Sequence, residues 1–389
     1  MRVSLPMLPS GSLSIDGAVG SMKLFLHGAL APAIVVCGIA TCSAGEVDLW
    51  SIPRIDPIRQ ASAPLDMGDG LPLAAGGWRL TATVGYFNVI ANSWHLPAIH
   101  SEFGLLGRPI EGWELRLLEL RHPDDHSYVV DVEGWQTELR ASRGFRGGVV
   151  ISLRVPWIEI GTPHWDGVAS TTHDILGAED VGSWTSRGET AVYAHTDLGV
   201  VERTSGLVQS GWGDATLAVS GALGRLLSGQ HRWGVALEAP TGARDSLMGS
   251  GGWDVGLRWY GTWGWGRNAI VAGLGFAYLD DDGDWLGVQR DNLWQLHAEY
   301  VRQLGSAWSL RGAIHVATSP LSDFADSELG EPSMSFEIGV RAALTGTSWL
   351  AFNFGENPWY TGTFTGVQPD YTLQLQIGAI LRKDRPSGR

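Results

Sequence analysis

The chain has 389 residues with 53 Gly and 19 Trp, only 17% charged residues and a formal net charge of −14. A soluble domain usually carries about a quarter charged residues and far less Trp, and a chain this acidic has no general affinity for nucleic acid. The composition leaves two classes: an aromatic-rich β protein that binds sugars, or a barrel whose aromatics stand at membrane interfaces.

At the amino terminus Met22-Lys23 precedes LFLHGALAPAIVVCGIA, an apolar run broken by His27 and Pro32, and then TCSAGE. A basic start, an apolar centre and small residues at Cys42 and Ala44 read as a secretory signal over residues 1–44, cut after Ala44. The residues before Met22 do not fit that logic, so Met22 is the expected initiator. A membrane anchor fits less well because the run is short and holds a proline. Cleavage as a lipoprotein at Cys42 would follow Thr41, a poor preceding residue. Both cysteines, Cys37 and Cys42, leave with the signal, which excludes a disulfide framework, a thiolate metal site and a Cys nucleophile from the mature chain. Arg2, Lys23 and Asp16 leave too, a net +1, so −14 becomes −15. No later stretch is apolar for about 18 residues, as a membrane helix requires. An exported chain can still cross a membrane as a closed barrel, which pairs every backbone group. The expected location is therefore the outer membrane of a Gram-negative bacterium.

Residues 45–77, with Pro53, Pro57, Pro64 and Pro72, show no period. They form either a periplasmic leader or a plug in the lumen. From Trp78 onward apolar and polar residues alternate, as they do where each strand has two unlike faces. Trp253, Val255, Leu257 and Trp259 oppose Asp254 and Arg258, and Phe336, Ile338 and Val340 oppose Glu337 and Arg341. Tyr371, Leu373, Leu375 and Ile377 oppose Thr372, Gln374 and Gln376. Twelve such segments are predicted: 78–92, 128–143, 147–156, 212–223, 231–239, 253–263, 268–279, 291–304, 307–318, 333–345, 348–356 and 370–382. Their connections alternate short and long, as periplasmic turns and outer loops do in an outer-membrane barrel. Aromatics such as Trp233, Trp253, Trp308, Trp349 and Tyr371 stand at the ends of apolar rows, where an interfacial girdle would put them. Trp113–Arg121 also looks like a strand, but counting it would invert the loop pattern, so it is assigned to a hairpin beyond the membrane. The fold class is all-β, a transmembrane antiparallel up-and-down barrel of about twelve strands over 78–389. A soluble antiparallel sheet also alternates, but accounts less well for the loop lengths and the girdle.

VPWIEIG (155–161), SGWGD (Ser210–Asp214), APTG (Ala239–Gly242) and SGGWD (Ser250–Asp254) carry a family likeness. With them the chain resembles the outer-membrane proteins grouped as domain of unknown function 3187. It has a similar GD and PTG pattern to barrels found near operons for aromatic-compound degradation. Both resemblances imply an outer-membrane barrel and neither implies an activity. The chain ends LRKDRPSGR without a terminal Phe, a departure from the signal that the barrel-assembly machinery reads. Physically, Gly211 and Gly213 can bend a loop into a strand. Pro240 stops ladder pairing and Gly242 begins a turn, while Asp214 and Asp254 are placed to anchor loops.

With the apolar row outward, the lumen receives Arg154, Glu238, Arg258, Gln295, His297, Glu299, Arg311, His315, Glu337 and Arg341. Both signs occur, so these rows either line a wet pore or knit a closed interior, because unpaired burial is costly. Twelve strands fall between barrels filled by side chains and barrels with open channels. The outer loop 157–211 holds Trp165, His173, Asp174 and Trp184, and can constrict the lumen, bind a sugar or aromatic ligand, or merely shield the mouth. Ser170, His173 and Asp174 are close in sequence but lack a nucleophile elbow, so catalysis is not expected. Asp280, Asp282 and Asp284 are weak candidates for a cation, without the downstream Glu of an EF-hand loop. No cofactor is expected. The expected partners are outer-membrane lipid, lipopolysaccharide and the assembly machinery. The expected role is a passive channel or transporter for a small solute that the sequence does not identify; the alternatives are a closed structural or surface-binding barrel and, third, an outer-leaflet enzyme.

Overall fold

The computed structural model describes residues 49–53, 55, 71–92, 95–103, 112–122, 127–161, 191–196, 199–204, 209–243, 248–280, 292–319, 330–356 and 371–381. The first strands are β1 (Trp78–Asn92), β2 (Ser127–Gly144) and β3 (Val150–Ile160). Three short ones follow: β4 (Ala191–Thr196), β5 (Gly199–Thr204) and β6 (Gln209–Trp212). The meander resumes with β7 (Ala215–Leu226), β8 (Gly229–Ala239), β9 (Asp254–Trp265) and β10 (Asn268–Tyr278). It continues through β11 (Leu293–Gln303), β12 (Trp308–Ala317), β13 (Ser333–Ala343), β14 (Ser348–Glu356) and β15 (Tyr371–Leu381). All neighbours pair antiparallel, and β15 returns to β1, with Trp78 opposite Leu381 and Asn88 opposite Tyr371. β1–β3 and β7–β15 thus close a barrel of twelve strands, which leaves no edge in the wall.

The two faces follow the alternation. Leu80, Val84, Leu139, Leu153, Leu217, Leu257, Leu375 and Ile377 point outward and are exposed, as a lipid-facing band must be. Thr83, Glu138, Arg258, Glu299, Gln374 and Gln376 point inward and are buried. At the short-turn end β7 and β8 are joined by Leu227 and Ser228, both at positive φ (48° and 66°). Positive φ at both positions is the type I′ geometry, whose twist matches that of the flanking strands. The β9–β10 reversal over Gly266 and Arg267 places positive φ at its first position alone, on Gly266 at 55°.

At the long-loop end the wall grows taller on one side. β4 pairs with Ser127–Asp131 of β2, and β6 continues the edge of β3, with Trp157 opposite Trp212. Part of the loop predicted over 157–211 is therefore an upward extension of the wall. Between the pairs Trp157–Trp212 and Arg154–Thr216 the second chain advances one residue further than β3. This bulge falls at Gly213-Asp214, opposite Pro156, whose missing N–H would otherwise leave a gap in the ladder.

Two expectations are corrected. Trp113–Arg121 is not part of a β-hairpin but a helix, α2 (Gly112–Arg121), which follows α1 (His95–Phe103) in the β1–β2 loop. Its Glu, Leu and Arg residues all favour helix, and none is β-branched. Leu118 is fully buried in a cluster with Leu96, Ile99 and Val129. Trp349 is not in the lipid girdle. Leu350 and Phe352 take the outward positions on β14, and Trp349 turns inward, 4% exposed. Its ring lies where a Cβ on Gly378 would otherwise stand.

Candidate functional site in the barrel interior

A barrel of twelve strands is wider than side chains alone readily fill, and here a piece of the chain's own amino-terminal region lies inside. The Gln376 side-chain amide donates to the Ser51 carbonyl at 3.2 Å, and that of Gln374 to the Pro53 carbonyl at 2.6 Å. Gln376 is opposite Thr83 in the ladder and Gln374 opposite Gly85, so the segment climbs from the short-turn end toward mid-barrel. Trp50 and Ile52 pack with Val301, Trp349 and Ala351. Gly85 and Gly339 make room for it. A Cβ on Gly85 would collide with Ile55, and one on Gly339 would stand 2.8 Å from the Trp50 ring. Nearer the barrel's base, Arg79 Nη2 donates to the Pro72 carbonyl at 2.8 Å, and the Gly76 amide to the Gly144 carbonyl at 2.8 Å.

Above Trp50 the inward charges of β11, β12 and β13 converge. Arg311 is flanked by Glu299, with Nε 3.0 Å from Oε2, and by Glu337, with Nη1 2.6 Å from Oε2. His297 Nε2 stands 3.4 Å from Glu299, and His315 Nε2 stands 3.3 Å from Glu337. Each imidazole thus turns its Nε2 edge toward one carboxylate. On the other side of the rings the two Nδ1 atoms face each other at 3.0 Å. Arg311 also donates to Asn353 at 3.2 Å, and Asn353 donates to Gln374 at 2.9 Å. The ion cluster and the inserted segment therefore share one hydrogen-bond chain.

A second cluster occupies the opposite wall. Arg140 donates to Glu138 at 2.8 Å. Arg154 donates to Thr216 at 2.9 Å and lies 3.7 Å from Glu238. Gln136, Glu138, Arg154, Glu238 and Asp214 enclose a cavity with room for roughly one water. Arg258 is 7% exposed, and its three guanidinium nitrogens have no hydrogen-bond partner among the described residues. Arg341 stacks over Trp349 at 4.8 Å. Of the ten inward residues singled out in the sequence, seven fall into these two clusters, Arg258 and Arg341 stand beside them, and Gln295 lies on β11 opposite Gly275 and Ala317. Asn353, Gln374, Gln376 and Trp50, which join them, carry no charge and were not singled out as site residues.

The family motifs meet at the long-loop mouth. Asp214 accepts the Gly242 amide on Oδ1 at 2.8 Å and the Ser250 amide on Oδ2 at 2.5 Å. Burial pushes its carboxyl up, and the two amides offset part of that rise. The Gly213 amide donates to the Pro156 carbonyl, and Thr241 donates to the Gly213 carbonyl, each at 2.9 Å. A Cβ on Gly213 would stand 2.8 Å from Pro156, and one on Gly242 would collide with the Met248 carbonyl. Asp254 accepts the Asp280 amide at 3.0 Å. Gly211 lies in β6, and Pro240 directly follows β8. The four motifs are therefore one knot that ties three loop ends together. Trp165, Ser170, His173, Asp174, Trp184, Asp282 and Asp284 lie outside the described residues. Among the described residues no group of three His, Cys, Asp or Glu side chains is arranged to hold a metal ion.

The family model described as "Protein of unknown function (DUF3187)" matches residues 122–373. Among solved structures, the chain is similar to the COG4313 outer membrane channel from Pseudomonas putida F1. That likeness covers 82% of this chain and 100% of the channel at 13% identity, with a TM-score of 0.50. It is also similar to the NanC porin, over 65% of this chain and 99% of the porin at 10% identity, with a TM-score of 0.36. The first likeness is one of fold, and the second is too distant to carry an argument. No curated protein matches the sequence.

Proposed function

The chain belongs to the DUF3187 family of outer-membrane β-barrels, and we propose that it is a gated passive channel for small solutes, closed by its own amino-terminal segment. The observation that carries this reading is the way the segment is held. Its carbonyls rest on two wall glutamines, Gln374 and Gln376, and its apolar side chains on Trp349 and Val301. Contacts of this kind can be undone without breaking the barrel. Arg258 supports the same reading, because a buried guanidinium without a partner is tolerable only where water or an anion can reach it. A lumen emptied of the segment would be such a place. The solute is small and polar enough to pass between Arg and carboxylate rows. The protein would sit in the outer membrane of a Gram-negative cell after signal cleavage, among lipopolysaccharide, placed there by the barrel-assembly machinery.

The test is single-channel conductance of the refolded chain 45–389 beside a deletion of residues 45–70. Small or rare steps in the first and large, steady steps in the second are expected. Silence from both, with folded barrels shown by heat-modifiable migration, would favour the second reading, a closed barrel whose role lies in its outer loops. The Glu299–Arg311–Glu337 cluster, which knits three strands from inside, is the observation on that side.

A further inference from the structure

We propose that the His297–His315 pair is a proton-operated latch on the amino-terminal segment, holding it at neutral pH and releasing it on acidification. The inference rests on the channel reading for its consequence, solute flow, but not for the movement itself. The first argument is a charge count. Glu299 and Glu337 bring two negative charges and Arg311 one positive charge, all buried. One more positive charge balances the cluster. The histidines stand where it is needed, each with its Nε2 edge toward one carboxylate. The second argument is the geometry between the rings. Two Nδ1 atoms 3.0 Å apart cannot both present lone pairs, nor can both present N–H groups. With both Nε2 atoms protonated toward their carboxylates, one further proton between the Nδ1 atoms satisfies the contact and gives the pair the missing positive charge. The separation suits a shared proton better than a metal ion, which needs about 2.0 Å to each imidazole nitrogen along converging directions.

Other groups facing this cluster do not take over the role. From β9 the inward residues Arg258 and Tyr260 look toward it across Gly275 and Gly273 of β10. β13 adds Ser335 and Arg341, with Arg341 engaged over Trp349. β14 adds Asn353, and β15 adds Gln374. Among these described neighbours only the histidine pair has side chains whose ordinary titration falls between pH 5 and 8. A second proton places two imidazolium rings with centroids 4.4 Å apart and gives the cluster a surplus positive charge. Relief requires the rings, and the carboxylates they face, to separate. Glu337 then turns from Arg311 and from Asn353, whose amide now donates to it at 3.3 Å. Asn353 orients Gln374, and Gln374 holds the Pro53 carbonyl. Arg311 itself lies over the Trp50 ring at 5.9 Å. Disturbance of the pair thus reaches the segment by two routes.

The test reads the segment directly. The detergent-folded full mature chain is labelled with fluorotryptophan, and the Trp50 resonance is assigned by its loss in Trp50→Phe. At pH 7.5 that resonance is expected to show no H2O/D2O isotope shift, and at pH 5.5 the full shift of an exposed indole. In the double variant His297→Gln, His315→Gln the resonance is expected to be the same at both pH values. The single variant His315→Gln serves if the double variant does not fold. A Trp50 signal buried at both pH values, or a pH response that survives loss of the histidines, would overturn the latch. Conductance steps at pH 5.5 and 7.5 form a separate arm. A Trp50 response without any conductance keeps the latch and removes the channel.

Discussion

Asp214 commits both carboxylate oxygens to backbone amides from the two ends of the β8–β9 connection, at Gly242 and Ser250. Hydrogen bonds to a charged acceptor are each worth about 1.5–3 kcal/mol, and orphaning a buried donor costs about 1–3 kcal/mol. Asp214→Ala should therefore destabilise the barrel by roughly 2–4 kcal/mol, read as a lower urea midpoint in detergent. Gly242→Ala should do comparable harm for a different reason, since its Cβ would meet the Met248 carbonyl and backbone would have to move. If both variants unfold like the parent, the knot is ornamental. Arg311 is the opposite kind of residue, a guanidinium held between two buried carboxylates. Removing one partner of a buried ion pair strands a charge, at about 3–5 kcal/mol. Arg311→Gln should show that loss at neutral pH and recover part of it as the medium is acidified and the carboxylates take up protons. An acid-independent deficit would mean that packing, not charge, is what Arg311 supplies.

At the scale of elements, the twelve wall strands were legible because each crosses an environment with only two faces, and period-two alternation records which face a residue meets. The α2 segment was misread because WELRLLELR also alternates crudely over a few residues. Its helix is fixed by Leu118 meeting Leu96 and Ile99 of α1, partners separated by a loop that alternation cannot see. The same limit hid Trp349. Its side of the wall is fixed by Trp50, from a distant and aperiodic stretch. The interior network was half legible: charges on the inward face announce themselves, whereas Asn353 and Gln374 matter only through whom they touch. For the helix pair, Leu118→Ala should cost about 2–4 kcal/mol of local stability, visible as faster proteolysis between residues 95 and 121. Glu102 and Arg121 also join α1 to α2, at 2.5 Å. The Arg121 hydrogen bond holds the Glu102 carboxyl below its usual range. Whatever the pair contributes is present at neutral pH and lost as pH falls through that lowered value. Because the pair is exposed and screened, Glu102→Gln should leave the proteolysis rate nearly unchanged.

For the whole molecule, one wall must satisfy lipid outside and a polar, segment-filled lumen inside, and adjacent residues of β15 carry the two duties. Leu375 faces outward at 50% exposure, and Gln374 faces inward at 2%. A charge in the middle of the lipid-facing band costs about 2–4 kcal/mol in a barrel of this kind. Leu375→Arg should therefore lower stability by that amount and slow insertion into liposomes, with no change in the conductance of the barrels that do insert. Gln374→Leu should do the reverse. It removes no lipid contact and leaves the ladder with β1 and β14 intact. What it takes away is the donor to the Pro53 carbonyl and the acceptor for Asn353. The barrel should fold at nearly the parental rate and conduct in larger or longer steps, because the segment has lost its mid-barrel hold. Equal conductance in parent and Gln374→Leu would mean that the segment is retained by its apolar bed around Trp349 alone. A combined Gln374→Leu, Trp349→Ala variant that still held it would remove the segment from the gate altogether.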